Sequence, residues 1–307
     1  MSRKITKNLF LKLNNKFKYK DKIKLLILPT IITLILINAI PLLLLIYMAF
    51  TNWDNSLAFS WKNFMGLDNF KYILTNDRFW QSGVTTLIWI VGSLALELPL
   101  GLGIALLLKR ASKRNLLFLS LTKNVIVLPL VIAPIVVGVM WRFMMFNANT
   151  GVINYFFRLV GLSPIEWLGK EWALFSVILT DVWEHTPLFV LILFAGLQSL
   201  PDHLYEAARV DGANGFQLFK NITLPLLKPI IYVVIVVRSI DLMRWIVTIF
   251  IMTGGGPGMK TEIWNLYLYQ LTFTRFNVSK GSAMALILIF ASMLISILFV
   301  KMSLKEE

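Results

Sequence analysis

Ionisable side chains set inside long apolar runs carry the chemical argument in this sequence. Each costs roughly 3 kcal/mol at the centre of a bilayer, so it marks a pathway or an internal ion pair. The segment "RSIDLMRW" spaces Arg238, Asp241 and Arg244 three residues apart, which puts all three on one broad face of a helix. Asp241 can pair with either arginine there. The segment "DVWEHTPLF" sets Asp181, Glu184 and His185 on a common face, ahead of a proline, Pro187, that interrupts the hydrogen-bond ladder. Two readings stand side by side: a polar cavity wall for a hydroxyl-rich or anionic ligand, and a set of structural ion pairs. Trp245 next to Arg244 has the same ambiguity, since an indole can stack on a ligand or simply pack. Glu97 and Arg142 are further candidates, weaker taken singly. Asp181 and Glu184 are spaced as a catalytic dyad could be, but no nucleophile or metal-ligand set stands beside them, and the pair points away from enzymatic use.

The elements that position these groups are long apolar helices. Of 307 residues, 57% are hydrophobic and 15% charged, where a soluble domain is nearer half and a quarter. The excess lies in six windows: about Leu25–Phe50, Val84–Leu108, Val125–Phe146, Ala173–Leu197, Ile230–Met252 and Ser282–Val300. Each is long enough for a helix to cross about 30 Å of hydrocarbon. No strand alternation is present. The expected fold is all-α, a polytopic membrane protein of about six transmembrane helices, in which Pro129 and Pro134 kink or break the third.

The net charge of +14 is explained by orientation rather than by nucleic acid. With loops assigned alternately to the two sides, nineteen Lys and Arg fall with both termini and the loops 109–123 and 198–228, and eight fall opposite. This asymmetry places both termini in the cytoplasm. No folded basic domain is left over, so no nucleic-acid partner is expected; membrane lipid is. The organisation that follows is a basic cytoplasmic tail (1–24), a first transmembrane helix (25–50) read as an uncleaved anchor, and an external interfacial segment (51–83). Then come five helices with a cytoplasmic loop at 198–228 (84–302 in all) and a short tail (303–307). Zero cysteines exclude disulfides and thiolate chemistry, and two histidines exclude a multi-histidine metal centre.

A one-chain ATP-driven pump needs a phosphate-binding loop. The nearest candidate, "GGGPGMKT" (Gly254–Thr261), has Met259 between Gly258 and Lys260 and follows a span rather than a strand, so it reads as a turn ending the fifth span.

The polar segment "YEAARVDGANGFQLFKNITLPLLKP" (Tyr205–Pro229) interrupts the apolar chain. Its pattern predicts a short helix over Leu204–Val210 with Asp202 as N-cap and Ala207 and Ala208 keeping one side narrow. Gly212 then permits a left-handed turn. A second short helix covers about Asn214–Ile222, and Pro225 starts the next span. The segment resembles the EAA signature of permease subunits of binding-protein-dependent ABC importers, carried here by Glu206, Ala207, Ala208, Gly212, Ile222, Leu224 and Pro225. The stretches "WKNFMGLDNFKYILTNDRFW", "DVWEHTP" and "TGGGPG" are similar to the carbohydrate branch of that family, and the likeness covers nearly the whole chain from about Leu25. Where relatives carry Phe-Asp ahead of "TGGGP", this chain has Ile246 and Val247.

The resemblance implies a type I importer transmembrane domain that moves a sugar or sugar-like solute of the oligosaccharide, disaccharide or glycerol-phosphate class into a bacterial cell across its inner membrane. It implies that the chain itself binds no cofactor, with ATP and Mg on a partner ATPase subunit. The implied partners are a second, homologous permease subunit, two nucleotide-binding ATPase subunits and an extracytoplasmic solute-binding protein. The residues that match the signature would couple to the ATPase, and Asp181, Glu184, Arg238, Asp241, Arg244 and Trp245 would lie on the solute pathway. An ion-coupled secondary transporter or a channel, working without an ATPase, is the alternative.

Overall fold

The structure, a computed structural model, describes residues 2–53, 63–112 and 116–304. Lys62, Lys113, Arg114 and Lys305, which enter the charge asymmetry, lie outside the described residues, as does the end of the 303–307 tail. The helices in chain order are α1 (Ser2–Ala49), α2 (Asp68–Leu74), α3 (Asp77–Ser112), α4 (Leu116–Val131), α5 (Pro134–Met140), α6 (Val152–Leu159), α7 (Ala173–Ser199), α8 (Asp202–Val210), α9 (Gly215–Leu218), α10 (Leu224–Arg244), α11 (Val247–Met252), α12 (Trp264–Tyr269) and α13 (Val278–Leu304). π-helical turns extend α5 (Trp141–Met145) and α12 (Gln270–Thr274), and a third, Phe219–Thr223, joins α9 to α10. Among the described residues no strand forms; an isolated bridge pairs Thr51 with Phe64.

Among the described residues, four stretches are long and apolar enough to cross a membrane: Leu26–Ala49, Asp77–Ala111, Ala173–Ser199 and Val278–Ile295. A fifth crossing is split, with Leu119–Val131 and Pro134–Met145 meeting at 90°. The cause is local. Pro134 has no N–H to give the preceding turn, and Ala133 before it is pushed to an extended backbone (φ −61°, ψ 134°).

The fifth window, Ile230–Met252, departs from a plain span. α10, at 21 residues, has the length to cross, but it carries Lys228, Arg238, Asp241 and Arg244 and stops there. Trp245 turns to an extended conformation (φ −71°, ψ 130°) before α11 resumes at Val247. The other windows are core segments of longer helices: α3 begins at Asp77 rather than Val84, and α1 continues back to Ser2 through the basic tail.

α7 is the central helix, with 17 of its residues buried, and α3 makes the most extensive contact with it. Gly101 allows that approach, because a Cβ there would overlap Phe189 Cβ. α10 closes on α7 at Gly196, where a Cβ would stand 2.5 Å from Ile230 Cδ1. α1 lies on the outside against α13, its large apolar side chains from Leu26 to Leu44 exposed as lipid-facing ones are.

Candidate functional site

Two of the apolar clusters lie on either side of a charged layer. One gathers Trp89, Val137, Trp141, Val182, Leu242 and Ile249, and the other Ala105, Leu119, Phe189, Leu193, Leu227 and Val234. Between them, at matching heights on α3, α7 and α10, sit Glu97, Asp181 and Arg238, each fully buried. Arg238 Nε donates to both oxygens of Glu97 (3.2 and 3.1 Å) and Nη2 donates to Glu97 Oε1 (3.0 Å). Nη2 also donates to Asp181 Oδ2 (2.6 Å), and Nη1 donates to Asp241 Oδ2 (2.6 Å). His185, one turn after Asp181, brings Nδ1 to 3.1 Å from Asp181 Oδ1 as a close charge pair, while the hydrogen-bonding contact of that nitrogen is with the Asp181 backbone carbonyl at 3.3 Å. A guanidinium fork suits such a site because its planar donors satisfy several carboxylates at once.

Of the residues expected to be ionised inside spans, Asp181, Arg238 and Asp241 therefore meet directly. Asp241 chooses Arg238 over Arg244. Arg244 is exposed and stands outside the network, and its carbonyl accepts from Asn265 Nδ2 (2.7 Å) as the helix ends. Glu184 is buried beside the network with Oε2 unpartnered. Trp245 is half-buried; its Nε1 donates to Thr248 Oγ1 (3.2 Å), and its ring meets His185 edge-on at 4.7 Å. The bonding partner that pattern alone ranks low is Glu97. Its signal was a lone acid at the middle of an apolar run, but its partner is 141 residues away.

The network opens to one side only. Asp241 has 44% of its side chain exposed, against none for Arg238 and Asp181. Glu97, Asp181 and His185 have ligand atoms close enough to hold a metal ion, but Arg238 already stands among the two carboxylates as their cation. The arrangement is suited to holding three helices in register and to presenting a carboxylate and an indole at an accessible edge.

The second feature is the polar segment. α8 starts at Asp202 itself, with Pro201 before it and no side-chain cap, so the N-cap expected at Asp202 shifts by one residue. Its end is as expected: Gly212 has φ +82°, a left-handed conformation that strains any side chain, and a Cβ there would meet nothing. Asn214 and Gln217 then form a reciprocal capping box (3.0 and 2.8 Å) that starts α9. Ile222 lies half-buried in the π-helical turn, and Leu224 and Pro225 open α10. Tyr205 OH and Thr223 Oγ1, 3.0 Å apart, brace α8 against that turn.

Glu206 and Ala207 are exposed and Ala208 is half-buried. Two apolar side chains that the pattern did not single out, Val210 (89%) and Phe216 (72%), stand bare at the tip. A cavity of about 630 Å³ lies between this element and the end of α3, bounded by Lys109, Arg110, Tyr205, Glu206, Arg209 and Phe219 among others. The "GGGPG" stretch is a turn after α11, closed by Thr253 and Thr261 hydroxyls 2.6 Å apart.

Residues 97–302 match the family described as "Binding-protein-dependent transport system inner membrane component". The chain is 37% identical over 259 residues to a probable ABC transporter permease protein, y4oQ, of Sinorhizobium fredii, covering 84% of this chain and 82% of that one. It is 36% identical over 244 residues to the trehalose/maltose transport system permease protein MalF of Thermococcus litoralis, covering 78% and 80%. Its fold matches a chain of a bacterial ABC transporter involved in import of the acidic polysaccharide alginate, with a TM-score of 0.78 at 22% identity, over 96% and 99% of the two chains.

Proposed function

We propose a function from one premise: this chain belongs to the family of binding-protein-dependent transport system inner membrane components. It is a membrane permease subunit of an ABC importer, and its cargo is a sugar or sugar-like solute, a reading supported by the trehalose/maltose permease among its relatives. Hydrolysis of ATP, with its Mg, belongs to two separate ATPase subunits. A second, homologous permease completes the pathway, and an extracytoplasmic binding protein delivers the solute. The loop element and both termini face the cytoplasm, as the charge asymmetry favours.

The observation that carries this reading is the α8–Gly212–α9 element. It is braced internally by Tyr205–Thr223 and by the capping box, yet Val210 and Phe216 at its tip are covered by nothing among the described residues. A rigid polar element with a bare apolar tip is what a docking partner needs in order to push or pull. Closure of the ATPase pair moves the element, and the movement reaches the bundle through α10. Solute passes along the wall of α7 and α10, where Asp241 and Trp245 reach the accessible edge, and Arg238 and Asp181 hold that wall in place.

Purification tests the reading. The tagged chain should retain an ATP-hydrolysing subunit and a second permease, and the reconstituted assembly should accumulate solute only with ATP and a binding protein. Accumulation by this chain alone in proteoliposomes would instead identify a secondary transporter or channel.

A further inference from the structure

The buried network holds more carboxyl groups than basic ones, and one of them, Asp241, reaches its open edge. Four carboxylates converge there, from Glu97, Asp181, Glu184 and Asp241, against the guanidinium of Arg238 and the imidazole of His185. Arg238 is fully buried and each of its nitrogens already donates to a carboxylate, so it has no accessible charge for a solute. Asp241 is different. Arg238 holds its Oδ2, which fixes the carboxylate, while the side chain stays 44% exposed. Glu184 adds a second carboxylate close by whose Oε2 lacks a partner although the residue is 2% exposed. Trp245 sits four residues beyond Asp241, its ring fixed by Thr248 and by His185.

We infer that this edge selects solutes by charge, with Asp241 as the specificity-determining residue: it admits neutral polyhydroxylated sugars and rejects uronates, sugar phosphates and sulfonates. The inference rests on the pathway reading above. Sugar hydroxyls donate to the fixed carboxylate, a charge-assisted bond that needs no reorganisation. The apolar face of a pyranose ring fits against an indole. A solute anion can make the same contacts but is also repelled by the Asp241 carboxylate. Arg244, the exposed cation, stands one turn from Asp241; an anion drawn to it must also lie against that carboxylate.

Equilibrium binding to the purified whole transporter, without its binding protein, tests this. The probes are neutral mono- to trisaccharides and matched anions: glucuronate, glucose 6-phosphate and trigalacturonate. Neutral probes should bind at least about tenfold more tightly than their anionic partners. Asp241→Asn should shrink that ratio severalfold, and Arg244→Gln should widen it. The ratio is read rather than absolute affinity, so a general loss of folded protein does not mimic the result. Equal binding of both classes, or a ratio unmoved by Asp241→Asn, overturns the charge selection and leaves the pathway reading standing. If no probe binds although liganded binding protein stimulates ATP hydrolysis, both fall together.

Discussion

Arg238 answers to three carboxylates on three helices, and loss of its charge leaves two of them, Glu97 and Asp181, buried together. Arg238→Met should therefore destabilise the folded bundle by about 3–5 kcal/mol, read as a large drop in melting temperature in detergent. Combining it with Glu97→Gln and Asp181→Asn should return much of the loss, because the uncompensated charges go too. Arg238→Lys should restore little, since a point charge cannot reproduce the forked contact with Glu97. At the loop, Gly212→Pro demands a φ near −65° where the backbone holds +82°, and it removes the N–H that donates to Arg209 O at 3.1 Å. Membrane insertion should survive while solute-stimulated ATP hydrolysis falls to the basal rate; stimulation at the wild-type level would remove the docking role from this turn. Much of this chemistry is legible in the sequence, because an ionisable residue in an apolar run is conspicuous. What is not legible is who pairs with whom. Asp241 has two arginines at equal sequence spacing, and only the end of α10 at Arg244 takes one of them away.

Helices show the same division between local and distant causes. The break between α4 and α5 follows from Pro134, a local rule. The break between α10 and α11 has no glycine or proline to announce it: Trp245 and Ile246 leave the helix while Asn265 of the distant α12 caps the carbonyl of Arg244. A hydropathy window cannot register that, and so reads Ile230–Met252 as one span. The close approach of α3 to α7 also depends on an absence, the missing side chain of Gly101 against Phe189. Gly101→Val should cost about 1–3 kcal/mol by overpacking and lower the yield of folded permease. The same change at Gly103, where a Cβ would meet nothing within 4 Å, should have little effect, and the pair of melting curves separates packing from helix propensity.

On the scale of the whole molecule, membrane class and helix order follow from apolar windows and charge asymmetry, while a charged layer set between two apolar clusters is a property of assembled helices alone. The assembly is also unfinished at its loop tip, where Val210 and Phe216 are bare. Val210→Asp with Phe216→Asp should leave the permease folded but release the ATPase subunits during purification, and unchanged retention would place the contact elsewhere. α10 joins that tip to the charged layer. From Leu224 to Arg238 it runs about 21 Å at roughly 1.5 Å per residue, so a tilt of about 10° at the loop end displaces the guanidinium by about 4 Å. Bonds of 2.6 to 3.2 Å cannot stretch so far. Movement transmitted along α10 must therefore carry the partners with it or exchange them, and the bundle has the mechanics of a latch, which yields in steps rather than by degrees.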